Sequence, residues 1–276
     1  MRLFVNHRTE YRFTEAQRRI VQLLRVTPAN FDGQNIIDWQ IDVDCDARIR
    51  AGRDGYGNET AMLYIDGPVD RLTVTVSGEA LTEDKAGLVA GAPEPLPAMV
   101  FLRTTPLTRA SGAIGALARE ASGAEKGILA RAHRLNQLIF ERLSFDNTRM
   151  DVERSAEDAF ALGHGVCQDF AHIFVAAARA MNVPARYVSG HLYRHDGAQF
   201  QEASHAWAEA YVEDLGWIGF DAANGICPDD SYIRVAIGLD YREAAPLSGA
   251  RIGGGVETLD VGVNVAQTQT ALQSQS

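Results

Sequence analysis

The sequence predicts an α+β protein, with an N-terminal antiparallel β-sandwich followed by a domain of helices and antiparallel strands. Three observations predict it. Short runs of alternating apolar and polar residues fill the first eighty positions, Pro93, Pro95, Pro97 and Pro106 then interrupt any regular element, and beyond them the apolar spacing changes to three and four before alternation returns. Read in order, this divides the chain into a β domain at 1–82, a proline-rich linker at 83–108, a catalytic domain at 109–263 and a disordered Gln/Ser/Thr tail at 264–276.

In the first region the strand candidates are residues 3–13, 19–26, 36–43, 61–65 and 72–76. Leu72-Thr-Val-Thr-Val76 and Ile41-Asp-Val-Asp44 show the period of two that buries one face of a strand. Between two runs, Arg53-Asp-Gly-Tyr-Gly-Asn58 supplies the Asp, Gly and Asn that tight turns require. The prolines cannot continue a helix or a central strand.

Residues 114–120 and 128–143 follow with helical spacing, Leu129, Ala132, His133, Leu135, Ile139 and Leu143 recurring at three and four. Ser155 and Asp158 are spaced as a capping pair for a short helix ending at Leu162. Gly163 and Gly165 then introduce a helix over 166–182, stopped by Pro184. Strand-like runs return at 185–193, 205–212 and 217–220.

With 276 residues, 46% hydrophobic and 22% charged, the composition is that of a globular chain. A formal net charge of −10 supplies no broad basic surface, which argues against nucleic acid and membrane as partners. Residues 151–276 alone hold 7 basic and 17 acidic side chains. Three scattered cysteines, Cys45, Cys167 and Cys227, are no disulfide framework and fit a reducing compartment. Charges at Arg2, Arg8, Glu10, Arg12, Glu15, Arg18 and Arg19 leave no apolar signal segment, and no run reaches the roughly 18 apolar residues of a membrane helix. A cytoplasmic location is the expectation.

Cys167 opens the 166–182 helix, where unpaired N–H groups and the helix dipole favour a thiolate. On that helix it shares a stripe with Phe170, Ala171, Phe174, Ala177, Ala178 and Met181. A three-residue turn at 213–215 would set His205 opposite Ala223, with Asp221 its diagonal neighbour on the same face. The alternation of His205, Trp207, Glu209 and Tyr211 with Ala206, Ala208 and Ala210 leaves open which face receives a helix. A thiol, an imidazole and a carboxylate so placed have the logic of acyl transfer through a thioester.

The motifs that carry these residues are Gly165-Val-Cys-Gln-Asp-Phe-Ala-His172, Val183-Pro-Ala-Arg-Tyr-Val-Ser-Gly190, Ser204-His-Ala-Trp-Ala-Glu209 and Gly216-Trp-Ile-Gly-Phe-Asp221. They resemble the bacterial transglutaminase-like family of cysteine proteases. Tyr11-Arg-Phe13, Leu24-Arg-Val-Thr-Pro28 and Asp54-Gly-Tyr-Gly-Asn58 resemble that family's N-terminal β domain. The resemblance implies a papain-like transglutaminase core, with Cys167 as nucleophile, His205 as general base and Asp221 as orienting acid. It implies no cofactor and a peptide or amide substrate. Ala222-Ala223 departs from the Pro-Thr that many relatives carry after the Asp.

Gln168 and Trp207 are candidate substrate contacts, beside plainer readings as a first-turn residue and a core or cleft wall. Asn224 either helps orient His205 or forms a turn with Gly225. His164, Cys167, Asp169 and His172 lack paired metal-ligand spacing, so no metal is expected. Cys45 and Cys227 are read as inert, and His191 and His195 receive no role. The expected reaction is hydrolysis of a peptide or amide bond; transfer to an amine, as in a transglutaminase, and a non-enzymatic binding module are the alternatives. Oligomeric state stays open.

Overall fold

The computed structural model describes residues 1–110, 112–123, 126–147, 151–197 and 200–267. Strands β1 (Arg2–Thr27), β2 (Gln34–Val43), β3 (Arg48–Arg53) and β4 (Glu59–Thr82) come first, then a two-residue strand β5 (Leu88–Val89) and a 3-10 turn at Ala98–Leu102. Helices α1 (Gly112–Gly123) and α2 (Ile128–Arg142), strand β6 (Ser144–Phe145), helix α3 (Ala156–Leu162) and strand β7 (His164–Gly165) lead into helix α4 (Cys167–Ala180). Strands β8 (Ala185–Leu192), β9 (Phe200–Gln201), β10 (His205–Val212), β11 (Gly216–Phe220) and β12 (Tyr232–Gly238) follow, then helix α5 (Tyr241–Ala244) and strands β13 (Leu247–Ile252) and β14 (Glu257–Ala266). The fold is α+β, as the sequence predicts.

The separate runs expected at 3–13 and 19–26 are one strand, β1, bent by register shifts between Arg12 and Arg19; those at 61–65 and 72–76 are likewise one strand, β4. Bulges of this kind bend a strand and increase its twist. The two long strands pair along their length, and the ends of the ladder recruit different partners. Phe4–Phe13 of β1 pairs with β14, and Arg19–Leu24 pairs with β13. Ile20, Leu24, Leu63 and Ile65 from one end share a core with Tyr11, Leu72, Val74 and Val76 from the other, so the layers arise by folding one sheet over itself.

This corrects the boundaries drawn from sequence. Residues 247–266 complete the N-terminal sheet, and 264–266 close strand β14 where a disordered tail was expected; residues 268–276 lie outside the described residues. Leu3, Val5, Val263 and Val265 of that sheet join Ala171 of α4, Tyr187 of β8 and Ile233 of β12 in a single buried cluster. The two regions therefore share a core.

The proline-rich stretch is packed, not an open linker. Leu88–Val89 pairs with β11, Phe101 is buried, and Glu94 makes a bidentate pair with the buried Arg186 at 2.8 and 2.9 Å. Arg186 also donates to the buried Glu209 at 2.6 Å and lies 3.8 Å over the Trp217 ring. Glu209 accepts in addition from Arg234 at 2.7 Å, so the cations and carboxylates are mutually satisfied across β8, β10 and β12.

The second sheet runs β12-β8-β10-β11-β5, antiparallel throughout. Ala208 and Ala210 share a core with Phe170 and Phe174 of α4, which settles the question left by alternation: small side chains admit the helix. Residues 168–179 of α4 are buried all round because α1, α2 and α3 cover its other side. Helix α3 is capped as expected, Ser155 Oγ accepting the Asp158 N–H at 3.2 Å.

Candidate active site

Cys167 is the first residue of α4, and its position follows from local chemistry. The Asp169 carboxylate reaches back to accept the Val166 N–H at 2.9 Å and receives Arg154 at 3.2 Å, closing the turn before the helix. Cys167 is partly exposed, and its Sγ stands 4.0 Å from the Ser204 carbonyl oxygen, which brings the helix start against the residue preceding β10.

The β10–β11 ladder pairs Val212 with Gly216, Ala210 with Ile218 and Ala208 with Phe220. Continued in register, it sets His205 opposite Ala223, the alignment that the three-residue turn predicts. His205 Nε2 and Asp221 Oδ2 lie 2.6 Å apart in buried surroundings, leaving Nδ1 as the ring nitrogen available to the thiol. Burial opposes a charged ring, but the Asp221 carboxylate and the Cys167 thiol outweigh it and hold His205 at about 10. Conversely, burial raises Asp221, and His205 with its hydrogen-bond donors brings it below the usual carboxylate range.

Those donors were only partly legible. Asp221 Oδ2 accepts from the Asn224 side chain at 2.7 Å and the Tyr232 hydroxyl at 2.8 Å, while Oδ1 accepts the N–H groups of Ala223 at 3.0 Å and Asn224 at 3.2 Å. Asn224 thus sits in a turn before Gly225, as one reading has it, and from there reaches the carboxylate that pairs with His205. Tyr232 was missed, since one aromatic in a β run carries no sequence mark of its partner. Burial and Asp221 keep its phenol protonated.

Cys167 and His205 line one cleft of about 680 Å³. Its far wall comes from the N-terminal region: His7, Thr9 and Tyr11 of β1 and Leu259 and Val261 of β14. No local pattern signals this wall, because the contact depends on strands more than 240 residues apart pairing as Phe4 with Ala266. Among the described residues lining it, Arg194 and Glu202 are the permanently charged ones.

Gln168 lines the cleft, but its side-chain amide donates to the Val152 carbonyl at 3.2 Å and so ties the 151–153 segment to the helix start. Trp207 is placed elsewhere. It shares the β10 face of His205, whose ring stacks with its own at 6.2 Å between centroids, and is buried against Tyr232 one step behind the cleft wall.

The four residues weighed as a metal cluster are employed separately. His172 is fully buried, accepts the Tyr241 N–H at 3.0 Å and is pushed down to about 3 by burial. His164 faces Asp146 at 3.5 Å, and Asp169 closes the turn described above. Burial pushes the Cys227 thiol up to about 11 and also raises Cys45, with Asp44 and Asp46 adding to it. His191 is buried beside His7, its ring centroid 5.6 Å away, and His195 meets Ser231 Oγ at 2.9 Å.

The fold thus sets a thiol at a helix start in one cleft with an imidazole that is paired to a carboxylate. Residues 115–222 match the transglutaminase-like superfamily, and residues 3–80 match the bacterial transglutaminase-like N-terminal region. The second half thus carries a transglutaminase-like core and the first a bacterial transglutaminase-like N-terminal region. An uncharacterized protein of Mycobacterium leprae is 28% identical over 281 residues, covering 96% of this chain and 99% of its own. An uncharacterized protein of Mycobacterium tuberculosis is 27% identical, over 89% of this chain and 86% of its own. A solved structure from Cytophaga hutchinsonii, described as "a Putative Cysteine Protease", superposes with a TM-score of 0.77 at 21% identity, covering 96% of this chain and 90% of that one, and so shares the fold. Among the described residues no helix is long and apolar enough to cross a membrane.

Proposed function

We propose that the protein is a cysteine-dependent hydrolase of peptide or amide bonds. The observation that carries the reading is the buried 2.6 Å His205–Asp221 pair, opening on the same cleft as a thiol at a helix N-terminus. Cys167 gives its proton to His205, and its sulfur attacks the carbonyl carbon of the amide. The C–N bond then breaks, with the His205 proton passing to the leaving amine. Water, deprotonated by His205, attacks the thioester; the C–S bond breaks, the acid is released and the thiol is restored. Asp221 holds the imidazole orientation throughout.

Hydrolysis is preferred to transfer onto an amine. Water is present at about 55 M, so an amine at 1 mM needs an advantage of about 10⁴–10⁵, on the order of 6 kcal/mol, from a site of its own. Among the described residues lining the cleft Glu202 is the one carboxylate, and the acidity of residues 151–276 is not gathered there. The test supplies a small glutamine-containing peptide amide and a labelled primary amine at 1 mM. Free acid as the main product, lost in Cys167→Ala, is expected; a predominant amine adduct would favour the transglutaminase reading.

A further inference from the structure

Tyr187 is the second residue of β8's central stretch to face α4, and it is only 2% exposed. What remains exposed lines the cleft that holds Cys167. Its ring is fixed on two sides. His172 packs on it at 5.1 Å between centroids, and Tyr241 meets it edge-on at 6.2 Å. The Tyr241 N–H bonds His172 Nε2, so the two clamping rings are themselves tied together.

The hydroxyl bonds to no described residue, yet it is not among the sealed, unsatisfied polar atoms, because it opens onto the cleft. Phenylalanine would fill the same packing without leaving a buried hydroxyl unpaired, so the oxygen is not explained by the core. Cys167 packs against the buried cluster that holds Tyr187, and burial keeps the hydroxyl in the neutral, donating form. The N–H groups of Cys167 and Gln168, being first-turn donors, have no acceptor among the described residues either. The Tyr187 hydroxyl and the N–H groups of Cys167 and Gln168, without protein partners among the described residues, thus all belong to residues that line the cleft holding the thiol.

We propose that the Tyr187 hydroxyl is a catalytic residue that donates a hydrogen bond to the carbonyl oxygen of the acyl group under attack by Cys167, acting with the first-turn N–H groups of α4 as an oxyanion site. In that step the Sγ–C bond forms, the carbonyl π pair moves onto oxygen, and the hydroxyl shares its proton with the developing charge without giving it up. When the C=O re-forms, the electron pair returns and the leaving-group bond breaks. This rests on the reading of Cys167 as nucleophile.

Tyr187→Phe tests it, using two probes on the whole chain. Acylation by p-nitrophenyl acetate passes through a tetrahedral oxyanion and releases nitrophenolate, whereas alkylation by iodoacetamide displaces iodide at a saturated carbon and forms none. Acylation should fall by tenfold or more, the loss of one oxyanion donor being worth about 10²–10³ elsewhere. Alkylation should stay within twofold, and the melting temperature should hold because the hydroxyl makes no bond to the protein. A smaller fall in acylation overturns the proposal, as does an equal fall in both reactions, which would place the hydroxyl's effect on the thiol. If the wild-type burst persists in Cys167→Ala, the nucleophile assignment itself fails and the proposal falls with it.

Discussion

Asp221→Asn would remove the charge from His205's partner while keeping the volume of the side chain. In the native site the carboxylate accepts from His205 at 2.6 Å, from Asn224 at 2.7 Å and from Tyr232 at 2.8 Å, with two backbone N–H groups on its other oxygen. A hydrogen bond to a charged group contributes about 1.5–3 kcal/mol. At about 1.4 kcal/mol per tenfold, its loss lowers the population of the thiolate–imidazolium pair by about 10- to 150-fold. The direction follows from the causes acting on His205: burial lowers its pKa, and without Asp221 only the thiol opposes that effect. The assay is the second-order rate of iodoacetamide alkylation at pH 6, followed by peptide mapping. Cys227, held at about 11, and Cys45, also raised, serve as slow internal references. A rate at Cys167 within threefold of wild type would refute the reasoning, as would native Cys45 or Cys227 reacting as fast as native Cys167.

Glu209→Gln should leave Arg234 without its carboxylate while Arg186 keeps Glu94, costing about 3–5 kcal/mol and lowering the melting temperature by about 5–10 °C; a shift under 1 °C would contradict the buried network. His7, His172 and His191, held at about 4, 3 and 3 by burial, have folded pKa values below the usual 6.5, so acid favours the unfolded chain. Unfolding free energy from urea titrations should fall from about pH 6.5 downward, each ring adding a slope of up to about 1.4 kcal/mol per pH unit, and His191→Gln should make the fall shallower. His205 has the opposite sign: its raised pKa stabilises the fold below about pH 6.5, and that contribution is lost as pH rises through about 10. Residues 109–276 expressed alone should lack a cooperative thermal transition, because β13 and β14 lose β1 and the shared cluster loses Leu3 and Val5; a sharp transition with Cys167 still selectively alkylated would show that the core is separable.

Much of the site was legible because its determinants are local. Helical spacing with Gly163 and Gly165 ahead of it placed Cys167 in a first turn, and a three-residue turn between two alternating runs fixed the register that brings His205 to Asp221. Asn224 was within reach for the same reason, lying three residues beyond the carboxylate it supports. Tyr232 and Tyr187 were not, since each is an ordinary strand aromatic until another element sets its hydroxyl beside Asp221 or Cys167. Trp207 shares the face of His205, as alternation predicts, but its burial behind that ring depends on Tyr232 from another strand.

By itself the sequence determined the α+β class, helices α1 to α4, strands β8, β10 and β11, and the histidine and aspartate that pair, because period, caps and turns act over a few residues. Only the tertiary structure decided that β13 and β14 return to β1, that the proline-rich stretch docks through Glu94 and Phe101, and that the N-terminal sheet walls the cleft. Those choices are made by which apolar faces remain to be covered once the elements exist. Leu3 and Val5 find Val263 and Ala171 by burial, and burial has no memory of distance along the chain.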